Sequence, residues 1–92
     1  MSMNCLIVDD SRVLRTVARK IFEEMKFDVA EAEDGMTALR FCRERMPDVI
    51  LFDGNLPSMK GVDFLKSVRG QTGGDRTVIV VATTESDAED VA

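Results

Sequence analysis

The stretch that decides the fold is CLIVDDSR, Cys5 to Arg12: a short, wholly apolar run that ends in two adjacent carboxylates. An uninterrupted apolar run of this length is the pattern of a strand buried on both faces, as in a parallel sheet covered by helices. The two acids at its end pose a problem, because like charges so close repel and a buried carboxylate without a partner is costly. Asp9 and Asp10 are therefore either a solvated pair favouring the start of a helix or a place where a cation binds.

Working outward, Ser11 can cap a helix in which Val13, Leu14, Val17, Ala18, Ile21 and Met25 recur at helical spacing. Arg12, Arg15, Arg19 and Lys20 are expected on its solvent side. FDVAEA, Phe27 to Ala32, is mixed enough to lie at a sheet edge, and Asp34-Gly35 supplies a turn. A second helix spans Met36 to Arg45, with Ala38, Leu39 and Cys42 inward and Arg40, Arg43, Glu44 and Arg45 as a solvated face. It stops at Met46-Pro47, since the residue before proline is pushed out of the helical region.

Val49 to Phe52 reads as a central strand, and it too ends in an acid, Asp53. The loop GNLPSMKG follows, then a helix over Val62 to Val68 with Val62, Leu65 and Val68 inward. GQTGGD is expected to be a flexible connection to a last apolar strand, Val78 to Ala82. That strand runs into Thr83-Thr84-Glu85. Ser86-Asp87-Ala88-Glu89 fits a capping box that opens a further helix.

Strands and helices thus alternate, which predicts right-handed crossovers, a parallel sheet and helices on both faces. In such sheets ligands bind outside the carboxyl ends of the strands. Asp9-Asp10, Asp53 and Thr83 all fall on that edge. Three carboxylates at one mouth call for a hard divalent cation with oxygen ligands, and Mg²⁺ suits one or two carboxylates with waters. A carboxylate beside such an ion can attack a phosphoryl group.

Bulk properties narrow the alternatives. The 92 residues allow one small domain, and 45% hydrophobic with 32% charged residues is ordinary for a globular chain. A net charge of −5 disfavours nucleic acid and anionic membrane as direct partners. No run approaches the roughly 20 apolar residues of a membrane span, and the start lacks the basic region of a signal peptide. Cys5 and Cys42 read as buried, reduced thiols of a cytoplasmic protein. With no histidine in these 92 residues, the chain itself holds neither a Ser-His-Asp triad nor an imidazole metal site. The Met and Phe residues read as core.

LIVDDSR, AEDG, ILFDGNLPSMKG and VIVVATTE together resemble the receiver domain of two-component response regulators, stand-alone chemotaxis-type receivers especially. The resemblance implies a flavodoxin-like fold, α/β and doubly wound, with strand order 2-1-3-4. It implies Asp53 as phosphoacceptor, with the phosphoryl group supplied by a histidine kinase or phosphotransfer protein in trans and the phospho-state switching a downstream protein target. Mg²⁺ would be held by Asp10 directly, by Asp9 often through a water, by Asp53 and by the backbone carbonyl of Asn55. Thr83 corresponds to the switch hydroxyl, Asn55 and Glu85 to positions that tune phosphate lifetime, and Pro57 and Gly61 to the loop that holds Asp53 in place.

Against the family pattern, residues 1–92 form an incomplete receiver that lacks most of a fourth helix, the fifth strand and the fifth helix. The family's phosphoryl-contacting lysine lies in that part, and neither Lys60 nor Lys66 takes its place. An open strand edge and an uncovered sheet face lead to an expectation of a homo-oligomer or a domain swap. Two other functions remain open. One is an assembly module without a competent site. The other is a Mg²⁺-dependent phosphatase, against which Asn55 stands, because such enzymes need a second aspartate two residues beyond the nucleophile.

Overall fold

The computed structural model describes residues 2–82; Thr83, Glu85 and the capping box at 86–89 lie outside the described residues. Along the chain come β1 (Asn4–Val8), α1 (Arg12–Glu24), β2 (Asp28–Ala32), α2 (Gly35–Glu44), β3 (Val49–Asp53), α3 (Gly61–Arg69), a single 3₁₀ turn (Gly74–Arg76) and β4 (Val78–Ala82). The four strands form one sheet in the order β2-β1-β3-β4, and every pairing is parallel. The parallel pairing is what the alternation of elements predicts, and the order is the flavodoxin-like one that the family resemblance implies.

Side-chain alternation along the strands divides the sheet into two faces. Leu6, Val8, Ile50 and Phe52 point to one side, where they meet Ala38, Leu39 and Cys42 of α2 and Phe64 and Val68 of α3. The Phe52 and Phe64 rings stack there with centroids 4.1 Å apart. Helical spacing alone misjudged the inward stripe of α3: Phe64 and Val68 are buried whereas Val62 is exposed. Met3, Met25 and Met36 are likewise exposed rather than core.

The other face is covered only by α1 among the described residues. This helix starts at the predicted cap, where the Ser11 hydroxyl accepts from the Leu14 N–H at 3.2 Å, yet it contains no fully buried residue. Leu14, Val17, Ala18 and Ile21 do face the sheet, lining a groove of about 250 Å³ with Ile7 and Leu51 on its floor. Val13 is 71% exposed, so it lies outside the stripe to which its spacing assigned it. At the far end Lys26 takes a left-handed conformation, φ 70°, as the chain turns back so that the Phe27 N–H reaches the Phe22 carbonyl at 3.0 Å. Phe22 and Phe27 meet edge to face across that turn.

The start of α2 is fixed by Asp34, whose carboxylate accepts from the Thr37 N–H at 2.7 Å. The connection after α3 is anchored, contrary to the flexible linker its glycines suggest. The Arg69 guanidinium donates to the carbonyls of Gly74 and Thr77, and the Gln71 side chain donates to the Leu39 carbonyl at 3.1 Å. Gly74 is buried so tightly that a Cβ there would sit 1.8 Å from the Val68 carbonyl oxygen. The buried Thr77 hydroxyl then donates to the Pro47 carbonyl at 2.8 Å, setting the start of β4 beside that of β3.

Candidate functional site

Parallel register brings the acids together. Val8 pairs with Phe52, so Asp9 and Asp53 leave neighbouring strands side by side, and Asp53 in turn pairs with Ala82. One carboxylate oxygen from each of Asp9, Asp10 and Asp53 lies within 4.8 Å of the other two. The cluster caps the carboxyl-terminal end of the groove along α1, to which both Asp9 and Asp53 contribute.

Each acid is held differently. The Asp9 N–H donates to the Ala32 carbonyl at 3.1 Å, and its carboxylate accepts from the Ser11 N–H at 2.8 Å. Asp53 accepts from the Asn55 N–H at 2.9 Å through Oδ1. The next peptide is tied across the sheet, because the Gly54 N–H donates to the Ala82 carbonyl at 2.7 Å. Asp10 is exposed, and Asn55 is exposed on the loop just beyond Asp53.

Electrostatics match the geometry. Burial raises the Asp9 carboxyl above its ordinary range, and the charges of Asp53 and Asp10 push it further; the Ser11 N–H and Arg15 pull it back. Three clustered carboxylates, all offering hard oxygen donors, fit a divalent cation of the Mg²⁺ type. Cys5 and Cys42 take no part: both are buried and unpaired, and burial pushes each thiol up to about 11.

Sequence reasoning missed one arrangement. Arg15, expected on the solvent side of α1, turns towards the site. Its Nη1 donates to the Asp9 carbonyl at 2.6 Å and its Nε to Glu31 Oε1 at 3.0 Å. The available signal was the parity of β2, which puts Glu31 level with Ile7 and hence on the α1 side.

Fold and strand-end acids together define a flavodoxin-like protein with a carboxylate site at the sheet's carboxyl edge. Residues 5–92 match the family model of the response regulator receiver domain, and the chain belongs to that family, whose members are signalling proteins. It is similar to the chemotaxis protein CheY-3 of Vibrio cholerae, 31% identical over 91 residues that make up 98% of this chain and 70% of the relative. It is also similar to the response regulator MprA of Mycobacterium tuberculosis, 33% identical over 92 residues, all of this chain and 40% of MprA.

Among solved structures, the chemotaxis response regulator CheY4 of Vibrio cholerae superposes with a TM-score of 0.87 at 34% identity, over 98% of this chain and 75% of that one. The receiver domain of the sensor histidine kinase PA1611 of Pseudomonas aeruginosa, solved with a magnesium ion coordinated in its active site cleft, gives 0.83 at 28% identity, over 97% and 75%. No helix among the described residues is long and apolar enough to cross a membrane.

Proposed function

We propose that this chain is a phosphoacceptor receiver in which Asp53 takes a phosphoryl group from a phosphohistidine of a partner protein. The observation that carries the reading is the convergence of Asp9, Asp10 and Asp53 at adjoining strand ends. Asp10 would hold Mg²⁺ directly, Asp9 through a water, with Asp53 and the Asn55 carbonyl completing the protein's share. Bound there, the ion supplies charge screening between the attacking carboxylate and the incoming phosphoryl oxygens.

The Asn55 N–H orients the Asp53 carboxylate through Oδ1, and a carboxylate oxygen of Asp53 attacks the phosphorus. The new O–P bond forms as the P–N bond breaks, and its electron pair returns to the imidazole nitrogen of the donor. By family analogy Thr83 would be the hydroxyl that answers the new charge, and Asn55 and Glu85 would set how long it lasts. The phospho-state would then change affinity for a downstream protein. Buried unpaired thiols suit the reducing cytoplasm, and Asn55 in place of an aspartate speaks against phosphatase chemistry.

Acetyl phosphate tests this directly. Intact-mass analysis should show one phosphoryl group added only when Mg²⁺ is present, and none in Asp53→Asn. Modification that ignores the metal or survives that substitution removes the reading.

One observation favours a second property, self-association. Val13, Val17 and Ile21 of α1 and Val78 and Val80 of β4 leave apolar surface exposed. On this reading the chain associates or exchanges elements with a second copy through that surface. A sharp single-species monomer in sedimentation across the micromolar range would sink that part.

A further inference from the structure

The turn that carries Asp9 and Asp10 out of β1 must hold one orientation if both carboxylates are to meet Asp53. Asp10 is exposed, so no packing holds its side chain, and the backbone entering it sets which positions its carboxylate can reach. That backbone is a single planar unit: the Asp9 carbonyl and the Asp10 N–H belong to the same peptide. Whatever pins the Asp9 carbonyl therefore fixes the direction in which the chain enters Asp10.

We propose that Arg15, braced by Glu31, is the positioning residue that pins this peptide and so sets the cluster's affinity for Mg²⁺; the inference rests on reading the cluster as a Mg²⁺ site. Nη1 of Arg15 donates to the Asp9 carbonyl at 2.6 Å and Nε to Glu31 Oε1 at 3.0 Å. Both donors lie on one rigid guanidinium plane, so fixing either end orients the other. The brace is itself secured. Glu31 Oε2 accepts from Arg19 Nη1 at 2.6 Å, and Arg19 Nε donates to Glu23 at 3.1 Å.

The direction of Arg15 separates it from an ordinary surface ion pair. Arg19 pairs along its own helix with Glu23, four residues on, as a helix-stabilising arginine does. Arg15 instead leaves its helix, keeps a side chain only 14% exposed, and spends a donor on a main-chain oxygen of the acidic turn. Its charge also opposes the repulsion that Asp9 meets from Asp53 and Asp10, without occupying a ligand position, because it meets the carbonyl side of the turn.

The test uses the 92-residue chain as wild type, Arg15→Ala, Arg15→Lys and Glu31→Gln. Mg²⁺ affinity is read by calorimetry, metal-dependent phosphorylation from acetyl phosphate by intact mass, and metal-free stability by thermal melting. Removing a group that orients a metal ligand typically weakens the metal about tenfold to a hundredfold. Arg15→Ala should fall in that range at temperatures where it remains folded. Glu31→Gln should weaken Mg²⁺ less, and Arg15→Lys should keep the fold without recovering affinity.

Wild-type Mg²⁺ affinity in Arg15→Ala overturns the inference even if its melting temperature drops, since a merely structural residue would behave that way. Should Arg15→Ala fail to fold, Arg15→Lys decides: full affinity there means a point charge suffices, and the positioning role falls. A wild type that takes up Mg²⁺ and phosphoryl normally while the variants match it removes this inference alone. A wild type that takes up neither removes the proposed function and the inference together.

Discussion

The two faces of the sheet are built from the same strands but held by different forces. On the α2–α3 face, Leu6, Val8, Ile50, Phe52, Phe64 and Val68 are fully buried, and shape-matched packing does the work. On the α1 face the helix buries no residue completely. It is fastened instead by polar devices: the Ser11 cap, the Arg15 and Arg19 pairs to Glu31, and the turn at Lys26. One of those fasteners, Arg15, also holds the Asp9 carbonyl at the start of the helix.

Truncation on the two faces gives the largest contrast. Phe64→Ala should cost about 3–5 kcal/mol, since a stacked ring leaves a cavity in the closed core. Ile21→Ala, at a position 54% exposed, should cost below about 1 kcal/mol. Equal costs in urea unfolding would erase the distinction between the faces.

Acid should loosen the Glu31 pairs on the α1 side. The Glu31 carboxyl lies below its ordinary value of 4.5 because Arg19, then Arg15, donate to its ionised form. The folded chain therefore binds that proton less readily than the unfolded one. The contribution is present above about pH 4.5 and is lost as pH falls through the depressed value. Glu31→Gln should be slightly less stable near neutrality, by no more than about 1 kcal/mol, and should show a shallower acid limb in stability measured against pH. An unchanged acid limb would show that these pairs do not hold α1.

The smallest effect has the opposite sign. Lys26 adopts a φ of 70°, which side chains resist and glycine accepts. Lys26→Gly should stabilise the chain by about 0.5–1 kcal/mol, seen as a higher urea midpoint with an unchanged slope.

Much of this architecture was readable from residue pattern. CLIV and VILF announce buried strands, and Asp9, Asp10 and Asp53 at their ends locate the site, because parallel strands deliver their carboxyl ends to one edge. Helix faces were less legible. Spacing of three and four identifies a stripe but not its centre, so Val13 and Val62 were placed inward, and Phe64, read as core by residue type, was left out of the stripe of α3. Arg15 was illegible for a different reason. Its partners, Glu31 and the Asp9 carbonyl, are set by strand register and by a turn, neither of which is written in the local pattern of α1. GQTGGD misled through its glycines, since Gly74 is required by close contact with Val68 rather than by slackness.

The hydrogen bond from the Gly54 N–H to the Ala82 carbonyl has a mechanical consequence. It ties the peptide directly after Asp53 to the last residue of β4, so the tips of the two strands share a tether. A load placed on the carboxylate of Asp53 reaches the neighbouring strand without passing through any loose loop.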